Sequence, residues 1–215
     1  MAMGHQHKAT SFAHGASHAS RVGRSTGRTS GFSLVEVLVS IVVLSFGLLG
    51  MVGMQAASLK ANREARLQSS ATVLARELAE MVRSNNAIGI LTGTANPYLG
   101  SFSSPLTAAT PTYCLSVGTT ACANNTAIAN AEMTEWLTRV DNELPGARVD
   151  VCFDAAPFDS NGLPRWACAA AASGVIVVKI GWTRGSTDRS KSGAAALERA
   201  TIPSIVFPVT AGNVL

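Results

Sequence analysis

Apolar and polar positions along this chain fall into three regimes. The residues before Gly31 are polar and rich in Ser, His and Gly. From Val37 to Leu59 there is no charged side chain over 23 residues. At about 1.5 Å per residue that run makes a helix of roughly 34 Å, the span of a bilayer's hydrocarbon core. Beyond it the apolar positions become periodic. Leu67, Ala71, Leu74, Leu78, Met81 and Val82 recur three or four apart, while Arg63, Glu64, Arg66, Arg76, Glu77, Glu80 and Arg83 fall mostly elsewhere on the wheel. The pattern predicts one helix from residue 32 to about 85, apolar all round in its first half and amphipathic in its second. Ser84-Asn85-Asn86 and Gly89 supply the stop signals. The stripe of the second half requires a domain to bury it.

The remainder reads as loops, a short helix and strands. Residues 87 to about 130 are rich in Ala, Thr, Ser, Asn and Gly, with Pro97, Pro105 and Pro111, and predict a long loop. Asn130 is placed to cap a short helix with Glu132 in its first turn. Met133, Trp136, Leu137, Val140 and Leu144 give that helix one apolar face, with Trp136 in the core, and Pro145-Gly146 ends it. Three strands follow. Arg148 to Asp154 places Val149, Val151 and Phe153 on one face, and Gly174 to Trp182 does the same with Ile176, Val178, Ile180 and Trp182. The third runs from about Leu197 to Phe207, with Pro203 marking an edge or an end of pairing. Arg184 to Gly193 is a polar turn between the last two.

One carboxylate stands at the edge of the apolar run. Glu36 would cost on the order of 2–3 kcal/mol to bury in lipid, so it needs a cationic partner. Gly47, Gly50 and Gly53 recur three apart inside the run, each costing up to about 1 kcal/mol relative to Ala. Close packing against neighbouring helices and local helix flexibility both account for them.

The stretch Gly31-Phe32-Ser33-Leu34-Val35-Glu36, with the apolar run behind it, resembles the N-terminal signal of type IV pilins and pseudopilins. The resemblance implies that prepilin peptidase cleaves between Gly31 and Phe32, that Phe32 is then N-methylated, and that Glu36 pairs with the N-terminal amine of a neighbouring subunit. Val35 to Ser40, the glycine-spaced stretch from Leu44 to Gln55, Leu144-Pro145-Gly146 and a strand ending in Trp182 are similar to the PilV-type minor pilins. The fold this implies is α+β, a pilin-like lollipop: a long N-terminal helix packed on a small antiparallel sheet of about three to four strands. It divides the chain into a leader (1–31), a transmembrane and assembly half of the helix (32–59) and a periplasmic head (60–215).

Charge is unevenly placed. The formal net charge is +4, but Lys8, Arg21, Arg24 and Arg28 precede the expected cut. Four of the 17 basic residues go with the leader, leaving 13 against 13 acidic residues. A neutral mature chain gives no reason to expect nucleic acid as a partner. The leader has no apolar h-region of its own, so cleavage would leave the membrane helix attached. Its four histidines, His5, His7, His14 and His18, have no regular ligand spacing. Basic residues flank both ends of the apolar run, so charge alone leaves the orientation open.

The cysteines bear on that question. Cys114, Cys122, Cys152 and Cys168 all follow the membrane segment, and an even number without a CxxC pair suits an oxidising compartment. Family leaders face the cytoplasm. Together these predict a single-pass protein of the bacterial inner membrane with its N-terminus in the cytoplasm and its head in the periplasm. Four cysteines permit three connectivities; nearness in sequence favours Cys114–Cys122 and Cys152–Cys168.

No catalytic residues are expected. The chain after the cut contains no His, which removes Ser-His-Asp and Cys-His catalysis and His-ligated metal. No phosphate-cradling glycine loop occurs, and Asp150, Asp154 and Asp159 do not match a calcium loop. Neither cofactor nor metal is expected. The reading is a minor pilin whose partners are prepilin peptidase, other major and minor pilins, the inner-membrane assembly platform and membrane lipid. A minor pseudopilin of a type II secretion system is the alternative, as is a pilus-borne adhesion or DNA-capture subunit.

Overall fold

The computed structural model describes residues 31–116, 118–169, 175–186, 188 and 190–211. The chain divides into two compact units, Met1–Met51 and Val52–Leu215. The first contains the start of helix α1, which runs Leu34–Ser84. Its apolar side chains are exposed, Phe32, Leu34, Leu38, Leu44, Phe46 and Leu49 among them.

The second unit is an α+β domain with a pilin-like layout. The second half of α1 packs against a four-stranded antiparallel sheet and helix α3 (Asn125–Glu143), with a one-turn helix α2 (Asn86–Gly89) after α1. The strands are β1 (Gly100–Ser103), β2 (Arg148–Asp154), β3 (Val175–Gly181) and β6 (Ile205–Val209), paired in the order β1-β2-β3-β6. Two further short strands, β4 (Arg184–Gly185) and β5 (Leu197–Glu198), form a separate hairpin.

The core is the predicted stripe of α1, widened by alanines. Ala71, Leu74, Ala75, Leu78, Ala79 and Val82 are buried, facing Val149, Val151, Ile176, Val178 and Ile180 of the sheet and Met133, Trp136, Leu137 and Val140 of α3. The small alanines let α1 approach its neighbours closely. Trp136 is fully buried, and its indole Nε1 donates to the Leu74 carbonyl at 2.9 Å. One side chain thus fills the core and spends its single donor on α1. Gly146 ends the α3–β2 turn at φ +56, where a Cβ would meet the Thr183 Oγ1.

The structure corrects three expectations. The short helix starts five residues earlier than Asn130. Asn124 is the cap, its Oδ1 accepting from the Ala127 N–H at 2.8 Å. Glu132 therefore lies well inside α3 and accepts a hydrogen bond from the buried Tyr98 hydroxyl. The loop after residue 87 contains a strand, β1, held by antiparallel pairing to β2. The stretch from Leu197 to Phe207 is two strands of different sheets, because the segment carrying Pro203 leaves one and enters the other.

The outer face of the sheet is also covered. Residues 155–169 fold over it, with the Trp166 ring against Gly181 and the Arg148 guanidinium 4.2 Å from its centroid. Beneath this cover Lys179 and Asp154 are both fully buried and ion-paired at 2.5 Å. The Lys179 ammonium also donates to the Ala167 carbonyl at 2.9 Å and the Trp166 carbonyl at 3.3 Å. Asp154 accepts from the N–H groups of Ala156 and Ala169. Burial opposes the charge on Asp154, but Lys179 and these two N–H groups outweigh it and hold the carboxyl below its usual range.

Asp154→Asn leaves the Lys179 charge buried without its counter-ion and is expected to cost about 3–5 kcal/mol of stability, measured by denaturant unfolding of the detergent-solubilised chain. Lys179→Met/Asp154→Asn together should recover part of that loss. Because the folded carboxyl titrates below its unfolded value of about 3.9, the contribution of Asp154 should be complete at neutral pH and lost as pH falls through the folded value. An acid limb that is the same in wild type and the double variant would contradict this assignment.

Candidate processing and assembly site

The residues that lead into α1 form the candidate site. Gly31, Phe32 and Ser33 lie outside the helix, in chain without regular structure. Phe32 is 83% exposed. Ser33 is the last residue before the helix; besides accepting the first regular helical bond it satisfies two of the N–H groups that a helix start leaves free, those of Val35 and Glu36. Its Oγ accepts from the Val35 N–H at 3.3 Å, and its carbonyl accepts from those of Glu36 at 3.0 Å and Val37 at 3.3 Å.

Glu36 occupies the first turn of α1, where a carboxylate interacts favourably with the helix dipole. Its side chain has no hydrogen-bond or ion-pair partner among the described residues. The helix terminus thus gives Glu36 a modest local role, which its isolation within an apolar sequence does not suggest. Ser33 was legible as well. Ser33-Leu34-Val35-Glu36 has the S-x-x-E spacing of a capping box; in the structure the Ser33 Oγ caps the Val35 N–H in place of the Glu36 N–H that the box would use.

Gly31, Gly47, Gly50 and Gly53 share one property. A Cβ built at any of them would meet nothing within 4 Å. The folded chain does not itself require glycine at these four positions. α1 is long and apolar enough to cross a membrane, and the apolar window of that helix is unburied.

The four cysteines are paired Cys114–Cys122 and Cys152–Cys168. The first bridge closes a loop just before α3. The second fastens β2 to the cover of the outer face, with the Lys179 ammonium 3.9 Å from the Cys168 Sγ. The Cys152 and Cys168 sulfurs and the Asp154 carboxylate lie within 4.8 Å of one another. The sulfurs are bonded to each other and Asp154 is taken by Lys179, so the group does not constitute a ligand set for a metal.

Tyr98, Glu132 and Asn85 form a second polar cluster, next to the end of α1. Burial raises the Glu132 carboxyl above its usual range against the opposing hydrogen bond from Tyr98. Burial, and then Glu132, push the Tyr98 hydroxyl up in turn. The Asn85 Nδ2 donates to the Asn125 carbonyl at 2.8 Å, so the cluster joins the end of α1 to the start of α3. An open cavity of about 590 Å³ is lined by Arg184, Lys191, Glu198 and Arg199. Glu198 binds Lys191 at 3.0 Å, and Arg184 binds Glu64 of α1 at 2.8 Å. Residues 1–30, with His5, His7, His14, His18, Arg21, Arg24 and Arg28, lie outside the described residues.

Residues 27–52 match a family model described as the prokaryotic N-terminal methylation motif. The match contains Gly31, Phe32, Ser33, Glu36, Gly47 and Gly50, and ends one residue before Gly53. It marks this segment as the N-terminal region of a type IV pilin-like prepilin. No curated protein and no solved structure matches the chain.

Since none of the described residues touches the space beside Gly31, Gly31→Leu should leave unfolding of the head unchanged while abolishing cleavage. Intact-mass analysis of the membrane-extracted protein reads both species. A cleaved Gly31→Leu chain would mean that the peptidase does not read this position.

Proposed function

We propose that this chain is a minor type IV pilin of the PilV type. Residues 1–31 are its leader, 32–59 the membrane and assembly half of the helix, and 60–215 a periplasmic head. Prepilin peptidase removes the leader between Gly31 and Phe32, and Phe32 is N-methylated. The protein then waits in the inner membrane as a single-pass subunit, N-terminus towards the cytoplasm, until its helix is drawn into a pilus or its initiating complex. The methylation motif over residues 27–52 carries this reading. The exposed apolar half of α1 supports it, because that surface needs lipid or other helices around it.

In this reading the protein performs assembly and no catalysis. Its partners are the peptidase, the other major and minor pilins and the inner-membrane assembly platform. Glu36 supplies the charge that a neighbouring subunit's Phe32 ammonium meets in an apolar surround, where an unpaired ion is costly. Gly47, Gly50 and Gly53 let neighbouring helices approach or let α1 loosen as it leaves lipid. The two disulfides hold the head in the oxidising periplasm. A minor pseudopilin of a type II secretion system shares the motif and layout, and differs in which machinery fails when the protein is absent.

Glu36→Leu tests the assembly role. Cleavage, membrane insertion and head folding should persist, because they depend on Gly31, the apolar run and the head core. The ratio of this subunit in sheared pili to that in the membrane should fall at least tenfold, on the order of the 1.4 kcal/mol or more that a desolvated ion pair contributes. Equal incorporation of wild type and variant would remove Glu36 as an assembly contact.

A further inference from the structure

We infer that Ser33 is a positioning residue for leader removal: its hydroxyl keeps the Gly31 carbonyl, the one to be attacked, out of helix α1. The inference rests on the reading of Gly31–Phe32 as the bond that is cut. In an α-helix each N–H donates to the carbonyl four residues earlier. The N–H that would engage the Gly31 carbonyl is therefore that of Val35. In the structure the Val35 N–H donates instead to the Ser33 Oγ, at 3.3 Å. The Glu36 N–H, which would engage the Phe32 carbonyl, donates to the Ser33 carbonyl at 3.0 Å. Ser33 thus takes both donors that would extend the helix back over the scissile bond.

The sequence makes that extension a real competitor. Ser30 and Thr29 precede Gly31 and are themselves good cap residues. A helix capped at Ser30 would enclose Gly31 and Phe32 in its first turn. Hydrolysis places the hydroxyl of water on the Gly31 carbonyl carbon, breaks its bond to the Phe32 nitrogen and leaves a carboxylate and an ammonium. A peptidase must reach that carbonyl with its own polar groups, and a helical Val35 N–H would take one of the oxygen's two lone pairs and fold the scissile bond into the first turn, where access is reduced. The exposure of Phe32 and the open space at Gly31 are what a cleavable, non-helical dipeptide requires.

The test compares Ser33→Thr with Ser33→Val in the full-length precursor, incubated in detergent with purified prepilin peptidase. The two replacements have nearly the same shape, but only Thr offers an oxygen to Val35. Ser33→Thr should be cut at close to the wild-type rate. Ser33→Val should be cut about fivefold more slowly, the effect of losing a typical cap, with the loss in KM as the open form becomes scarcer. In Ser33→Val the carbonyl carbon resonance of Gly31 should move towards its helical value. Ser40→Ala, which removes a hydroxyl bonded to the Glu36 carbonyl within the helix, should leave the rate unchanged. Equal rates for Thr and Val, fast or slow, would overturn the inference, since cap chemistry would then be irrelevant and only the peptidase's reading of side-chain shape would remain. A wild-type chain left whole at Gly31–Phe32 would instead remove the prepilin reading, and this inference with it.

Discussion

Helix α1 meets two different solvents, and most of the rest of the molecule follows from how its surface is divided between them. Towards its C-terminal end an apolar stripe of Ala71, Leu74, Ala75, Leu78, Ala79 and Val82 is removed from water by the sheet and α3. Burying Leu74, Leu78 and Val82 stabilises the fold by roughly 1.5–3 kcal/mol each, and the alanines add less, so the head is in large part a device for covering this stripe. The Trp136 indole fastens the arrangement by bonding to an α1 carbonyl inside the core. Towards the N-terminal end there is no stripe. Phe32 through Leu59 present exposed apolar side chains on every side.

The two halves were not equally legible. The absence of charge from Val37 to Leu59 states the membrane-compatible half outright, and the three–four spacing after Leu67 states the buried face. Both are properties of one helix read along its own sequence. The head depends on partners distant in sequence, and there the pattern gives out. Strand β1 has a single apolar side chain, Phe102, and exists because β2 offers it a free edge. Asn124 and Asn130 are equally good caps on paper. The choice of Asn124 brings the fully buried Ala129, which a cap at Asn130 would leave outside, into the helical face, a gain visible only once the core is assembled.

Lys179 shows the limit most clearly. Alternation along β3 assigns it to solvent, opposite Ile176, Val178 and Ile180. It is instead fully buried, because the segment from Ala155 to Ala169 returns over the outer face. That segment lays the Trp166 ring over Gly181, and it covers the rest of the strand partly through polar contacts. The ammonium of Lys179 collects two carbonyls and Asp154, and the Cys152–Cys168 bridge pins the returning chain at its far end. Charge and covalent bond here do what an apolar layer does on the inner face.

The vacant space beside Gly47, Gly50 and Gly53 has a consequence for how variation in this protein should be interpreted. A methyl group at any of the three touches none of the described residues and improves the intrinsic preference for helix. A survey that scores variants by how much folded subunit accumulates would rank alanine at these positions as neutral or better. Such a score is blind to contacts that exist only between molecules. If glycine nevertheless persists there among natural variants, the pressure keeping it must come from the company the helix keeps.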